Sequence, residues 1–212
     1  MHSFQSRFLD YCLDRGVLKF GQFTLKSGRV SPYFFNAGLF NTGADLVALG
    51  AFYAEAIDRS RIEFDLLFGP AYKGIPLAAV TASALYQNYQ RNFSYAFNRK
   101  ETKDHGEGGN IVGAPIQGRV MIIDDVITAG TAIRQSMQLI ESLGASVCAV
   151  TIALDRQEKG LSEQSAVQEL EQTGIPIIPI IRLEDILLFL QTGDFRQHLQ
   201  AVKNYRDEYG ID

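Results

Sequence analysis

Val120-Met121-Ile122-Ile123-Asp124-Asp125-Val126-Ile127-Thr128-Ala129-Gly130-Thr131-Ala132 is an apolar run that ends on two acids and continues into a loop of small residues. Four apolar residues, two of them β-branched isoleucines, predict a strand buried on both faces, stopping at adjacent carboxylates. After the loop Thr128-Ala129-Gly130-Thr131, a helix pattern begins with Ile133, Met137 and Ile140 on one side. In an open parallel sheet, ligands bind beyond the carboxyl ends of the strands, which is where this loop falls. Its backbone N–H groups and two hydroxyls, at a helix N-terminus, favour a phosphate. Carboxylates beside a phosphate cradle suit a phosphorylated sugar, whose hydroxyls donate to the acids and whose charge brings a metal ion. A buried strand ending in an ordinary turn and helix cap is the plain alternative for either half of the string, and the whole string argues against it.

Outward from this strand, the chain alternates. Asp65 to Gly69 predicts a short strand, Ile75 to Tyr86 a helix, Ser94 to Asn98 a strand, and Ala145 to Leu154 another strand ending at Asp155-Arg156. Ile175 to Ile181 reads as a last strand, pushed to an edge by Pro176 and Pro179. Leu183 to Leu190 and Phe195 to Tyr209 read as two closing helices. The pattern implies an α/β fold with a mostly parallel central sheet flanked by helices. Before it, Phe4, Phe8, Leu9, Cys12 and Leu13 line one face of a helix ending at Gly16. Phe20 to Asn36 turns at Ser27-Gly28 as a hairpin, and a helix capped by Asn41 or Thr42 carries Leu46, Leu49, Phe52, Tyr53, Ala56 and Ile57 to about Arg59. A hairpin outside the main alternation is placed to cover a site as a hood. We therefore expect one domain over 1–212, with hood elements within 1–40.

One segment breaks the rhythm. From Asn98 to Arg119 no period is visible, and Gly106, Gly108, Gly109, Gly113 and Gly118 leave the backbone permissive. It opens with Arg99, Lys100, Lys103 and His105, charges that suit a flexible lid, at about 99–118, closing over an anion.

Composition narrows the partners. A net charge of -4 over 212 residues argues against bulk nucleic-acid binding, so phosphate chemistry must rest on local cations. Asp10 and Asp14 interrupt any signal-peptide reading of the N-terminus, and no apolar run reaches spanning length, so no membrane partner is expected. Cys12 and Cys148, far apart and in apolar settings, predict buried reduced thiols in a cytoplasmic protein.

A second loop between strand and helix is Gly69-Pro70-Ala71-Tyr72-Lys73-Gly74-Ile75-Pro76. It is not a Walker A loop, since Ile75 and Pro76 stand where Lys and Ser/Thr belong, and there is no dinucleotide fingerprint. Alone it is a tight turn; beside the acidic strand end it offers N–H groups and the Lys73 ammonium to a pyrophosphate. The acidic strand with Thr128-Ala129-Gly130-Thr131 resembles the signature of the type I phosphoribosyltransferases, which bind phosphoribosyl pyrophosphate (PRPP). Lys26-Ser27-Gly28-Arg29, Ser31-Pro32-Tyr33-Phe34-Phe35, Tyr72-Lys73-Gly74 and the Arg99 to His105 run together are similar to the orotate phosphoribosyltransferase family.

That resemblance implies transfer of the phosphoribosyl group from PRPP to orotate with Mg2+, giving orotidine 5'-monophosphate and pyrophosphate in pyrimidine synthesis. It also implies a homodimer whose basic loop reaches the neighbouring site. Carried over residue by residue, PRPP contacts fall on Lys26, Tyr72, Lys73, Arg99, Lys100, Lys103, His105 and the run Asp124, Asp125, Val126, Ile127, Thr128, Ala129, Gly130, Thr131 and Ala132. Lys103, His105, Asp124 and Asp125 are the catalytic candidates, Lys103 first; orotate falls to Phe34, Phe35, Thr128 and Arg156. Mg2+ is expected to take its ligands mainly from substrate and water, with Asp124 and Asp125 as protein candidates. Arg156, at a strand end, has the planar fork that clamps a carboxylate, with a surface pair to Asp155 or Glu158 as the plain alternative. Phe34 and Phe35 are adjacent on a strand and point to opposite sides, so both cannot stack on one ligand. A salvage phosphoribosyltransferase for a neutral base, or a PRPP-sensing regulator with a basic DNA surface, would share the central motif. The first gives no reason for Arg156 and the second no fit to the acidic balance.

Overall fold

The structure, a computed structural model, describes residues 1–25, 27–103, 109–160 and 163–211. Helix α1 (Ser3–Asp14) buries Phe4, Phe8, Leu9 and Cys12, the face its periodicity predicts. Strands β1 (Leu18–Thr24) and β2 (Val30–Phe35) form an antiparallel hairpin, with Leu18 opposite Phe35. Helix α2 (Gly43–Ser60) starts at Thr42, whose hydroxyl accepts from the Asp45 N–H while the Asp45 carboxylate accepts from the Thr42 N–H.

Then follow β3 (Leu66–Gly69), α3 (Gly74–Tyr89), β4 (Ser94–Lys103), β5 (Gly109–Gly113), β6 (Arg119–Ile123), α4 (Thr131–Ser142), β7 (Ser146–Asp155), α5 (Ala166–Glu171), β8 (Ile177–Arg182), α6 (Leu183–Gln191) and α7 (Leu199–Tyr209). Six strands form one sheet in the order β5-β4-β3-β6-β7-β8, every pair parallel except β4 with β5. β8 is an edge strand, as its prolines require.

The buried strands alternate between two cores. Leu67, Met121 and Ile123 join α2, α3, α6 and α7 on one face, together with α1 and the hairpin. Leu66, Phe68, Val120 and Ile122 face the other way, against Ile133 and Ile140 of α4 and Val167 and Leu170 of α5. Two covered faces are what the near-continuous apolar runs of β3, β6 and β7 demand.

Three expectations need correction. The aperiodic segment is not loop throughout: β4 runs five residues further than its apolar core and pairs with β5, with Asn98 opposite Ile111 and Lys103 opposite Gly109. An antiparallel ribbon built of charged residues and glycines has no apolar period, so periodicity could not reveal it. α5 was not expected, being six residues long, although Ser165 and Gln168 cap it reciprocally. Cys12 is buried as expected, but Cys148 is only half-buried; both are free thiols. Among the described residues, no helix is long and apolar enough to cross a membrane.

Candidate active site

The order of connections reverses in the middle of the sheet. From β3 the chain moves outward to β4, whereas from β6 it moves the opposite way to β7 and β8. The crevice beyond the carboxyl ends of β3 and β6 is therefore the topological switch point, where open α/β sheets bind ligands. Both loops singled out in the sequence lie here.

The first loop joins β3 to α3. Its turn is compact because both flanking residues lack a side chain: a Cβ on Gly69 would stand 2.1 Å from the Gly74 carbonyl oxygen, and one on Gly74 would stand 2.8 Å from that of Ile123. The Ala71–Tyr72 peptide bond is cis. The Ala71 N–H donates to Asn98 Oδ1 at 2.9 Å, tying this loop to the end of β4. Tyr72 projects outward, 66% exposed, with Lys100 Nζ 4.6 Å from its ring centroid.

The second loop follows β6. Asp124 is partly exposed and Asp125 buried, and the Asp125 N–H donates to Asp124 Oδ1 at 2.9 Å. The buried Tyr53 of α2 donates its hydroxyl to the Asp124 carbonyl at 2.7 Å, fixing the strand end from below. Burial and the neighbouring Asp125 charge push the Asp124 carboxyl well above the usual carboxylate range. Lys73 reaches across the crevice to Asp125 Oδ2 at 2.5 Å, so the two loops meet in an ion pair. Residues 126–133 and Asp124 enclose a pocket of about 240 Å3 at the start of α4. Gly130, in the left-handed region at φ 71°, precedes the helix, and Arg134 braces the loop by donating to the Ala129 carbonyl and pairing with Glu169. Val126, Ile127, Thr128, Ala129, Thr131 and Ala132 thus form one cradle with Gly130.

Arg156 leaves the end of β7, beside β6, and packs against the hood. Its guanidinium lies 4.4 Å above the Tyr33 ring and is paired with Glu158, the plain alternative among its readings, although the pair is largely buried and not on the surface. Burial works against its charge, but Tyr33 and Glu158 beside it raise the guanidinium pKa and keep it cationic. The two phenylalanines separate as strand geometry requires. The Phe35 side chain belongs to the core, while Phe34 is 38% exposed and stacks on Phe23 at 5.5 Å.

Arg99 is partly buried and Lys100 exposed on β4. Lys26 and His105 lie outside the described residues, and of Lys103 only the backbone, paired in the ribbon, is described. Asn98, Tyr53 and Arg134 were not expected at the site. Tyr53 was legible only as part of an apolar stripe, and the others act through hydrogen bonds to partners distant in sequence or on the next turn. Among the described residues no group of three or more His, Cys, Asp or Glu side chains is placed to hold a metal ion. The hard oxygen donors at hand are Asp124 and Asp125, which fits a Mg2+ that keeps most of its ligands from substrate and water.

A small-residue loop at a helix N-terminus thus faces a second strand-to-helix loop, with its Lys73, across a topological switch point. The phosphoribosyl transferase domain family matches residues 40–177. An orotate phosphoribosyltransferase of Thioalkalivibrio sulfidiphilus is 60% identical over the full length of both chains, and one of Cronobacter sakazakii 59%. The crystal structure of the Francisella tularensis orotate phosphoribosyltransferase superposes with a TM-score of 0.89 at 43% identity, covering 96% of this chain and 99% of that one. The chain belongs to the phosphoribosyltransferase family and, within it, to the orotate phosphoribosyltransferases.

Proposed function

We propose that this chain transfers the phosphoribosyl group from PRPP to orotate, releasing pyrophosphate and giving orotidine 5'-monophosphate for pyrimidine synthesis. The observation that carries this reading is the meeting of Lys73 and Asp125 at the switch point, one arm from each loop, above a phosphate-sized cradle. Breaking the anomeric C–O bond develops positive charge on the ribose ring and negative charge on the leaving pyrophosphate. Lys73 exchanges Asp125 for the pyrophosphate, with Arg99, Lys100, Lys103 and His105 completing its cationic surroundings, Tyr72 adding a neutral contact and Lys26 adding charge from the hood. Asp124 and Asp125 accept from the ribose hydroxyls, and residues 126–132 hold the 5'-phosphate at the start of α4. The fixed phosphate and fixed sugar bring the anomeric carbon to the base nitrogen, so positioning supplies much of the rate.

Asp124 and Asp125 are the side chains that would hold a Mg2+ ion, which would supply charge neutralisation for the leaving group. Thr128 and Arg156 orient the base, Arg156 by pairing with its carboxylate, and Phe34 offers an apolar edge with its backbone. We read the chain as a homodimer in which the ribbon of β4 and β5 carries Lys103 and His105 to the partner's site, and as a cytoplasmic protein, in keeping with its two unpaired thiols. In a pyrophosphate-release assay, wild-type protein with PRPP, orotate and Mg2+ turns over, EDTA abolishes turnover, and Lys103→Ala lowers kcat by about 100-fold or more, the scale of one charge-stabilising group. Undiminished turnover in Lys103→Ala contradicts the role given to the ribbon.

A further inference from the structure

The pairing of Arg156 is unusual in its asymmetry. Its Nε donates to Glu158 Oε1 at 2.9 Å, Nη2 lies 2.6 Å from the same oxygen in the ion pair, and Nη2 donates to Ser31 Oγ at 3.3 Å. The Tyr33 hydroxyl donates to that same Glu158 oxygen at 3.2 Å, while its ring lies beneath the guanidinium. One edge of the planar fork is thus fully engaged, and Nη1, on the other edge, makes no hydrogen bond among the described residues. A fork held along one edge is pre-aimed along the other, which is the arrangement that recognises a planar carboxylate.

A second observation stands beside this pair. Tyr205 of α7 is 4% exposed and packs edge-on against Tyr33 at 6.2 Å, with its hydroxyl beside Arg156 and Glu158 but, among the described residues, in no well-formed hydrogen bond with either. Buried hydroxyls are almost always satisfied, so one left incompletely bonded beside a charged pair marks a place where a small rearrangement of that pair completes a hydrogen bond. Tyr205 is held firmly enough to keep this place. The chain after α7 runs antiparallel to the segment following Arg156: the Lys159 N–H donates to the Tyr209 carbonyl at 2.8 Å and the Ile211 N–H to the Gln157 carbonyl at 3.0 Å. Arg29 of the hood closes the cluster, lying 4.9 Å from the Tyr209 ring centroid and donating to the Lys159 carbonyl.

We infer that Glu158, Tyr33 and Tyr205 are positioning residues for Arg156: Glu158 aims the guanidinium at the carboxylate of an anionic base, and the Tyr205 hydroxyl gains its hydrogen bond when that base is bound. This rests on the reading of Arg156 given above. As the base carboxylate takes up Nη1, the guanidinium loosens its hold on Glu158, and the released carboxylate oxygen accepts from Tyr205. Glu158 also neutralises Arg156 in the empty site, so an anion that lacks the right plane and distance gains little by entering.

The test is steady-state kinetics with both substrates, together with thermal denaturation, on full-length Tyr205→Phe, Glu158→Gln and Arg156→Ala. Tyr205→Phe raises the KM for orotate about three- to tenfold, the size of one neutral hydrogen bond, leaves the KM for PRPP unchanged, and does not lower the melting temperature, because the hydroxyl it removes is unsatisfied in the free protein. Glu158→Gln, which keeps an accepting oxygen but loses the charge, raises the KM for orotate by about tenfold or more, again without moving that for PRPP. A Tyr205→Phe protein that melts earlier with an unchanged KM for orotate overturns the inference, as does an equal rise in both KM values. If Arg156→Ala itself leaves the KM for orotate unchanged, the clamp reading is what fails; if Arg156→Ala raises it while the other two are silent, the positioning inference alone fails.

Discussion

On the function proposed above, the single pair of Lys73 and Asp125 serves both the free and the loaded protein. Asp125 is buried and Lys73 is not, so the lysine covers a carboxylate that would otherwise stand uncompensated at the strand end. A substrate bearing pyrophosphate and sugar hydroxyls offers each of them a replacement partner. Asp45 has the opposite character, since all its partners are internal. Its carboxylate accepts from the Thr42 hydroxyl at 2.7 Å and the Tyr11 hydroxyl at 2.8 Å, and pairs with Arg15 at 2.7 Å, joining α1 to the start of α2. These partners, the Thr42 hydroxyl foremost, hold the Asp45 carboxyl well below the usual carboxylate range. A depressed acid contributes stability above its unfolded pKa and loses it as pH falls through the folded one. Asp45→Asn therefore lowers the melting temperature by several degrees at pH 7, and the gap from wild type narrows as pH falls below about 4. Melting curves at pH 7 and pH 3 check this; a constant gap contradicts it.

At the scale of elements, the site depends on how tightly β3 turns into α3. A methyl at Gly74 would meet Pro70 Cδ at 2.5 Å and the Ile123 carbonyl at 2.8 Å, pushing the first loop away from β6 and Lys73 away from Asp125. Gly74→Ala is expected to cost about 1–3 kcal/mol in stability, an overpacking penalty, and to raise the KM for PRPP more than that for orotate. Denaturant melts and kinetics check both, and a variant with wild-type KM for PRPP would show that the loop does not touch it. This turn illustrates what the chain discloses before folding. The buried strands β3, β6 and β7, the apolar faces of α1, α2 and α4, and the two loops after β3 and β6 were legible because burial on both faces, a 3.6 period and small residues at strand ends each leave a local mark. The β4–β5 ribbon was not, since its pairing joins residues that carry no alternation. The destination of a polar group was equally hidden: Asn98 could not be seen to reach Ala71, and although Glu158 was named as a partner for Arg156, nothing showed that the pair would lie buried over Tyr33. Phe34 and Phe35 were a half-success, because the period of two required them to part but did not say which enters the core.

For the whole molecule, the sheet brings the β3, β6 and β7 strand ends side by side, and β4 extends beyond them as a basic ribbon next to the crevice. The family resemblance is the basis for reading the protein as a homodimer with shared sites, and this ribbon is the part proposed to reach the partner. Chains carrying Lys103→Ala and chains carrying Asp125→Asn, each inactive alone, should regain activity when mixed and allowed to exchange. With random pairing, about half the dimers are mixed, each with one unmodified composite site, so recovery of about a quarter of wild-type activity is expected by symmetry. No recovery in demonstrated heterodimers would place Lys103 in its own chain's site.

The central claim is that one carboxylate-bearing base is selected by an arginine at the end of β7 while PRPP is held between the loops of β3 and β6. Its most direct test is pyrophosphate release from PRPP and Mg2+ by the purified protein, with orotate, uracil, adenine or hypoxanthine each supplied as the only base. Turnover with orotate and none with the three neutral bases is the predicted result. Turnover with a neutral base, or none with orotate, would contradict the account.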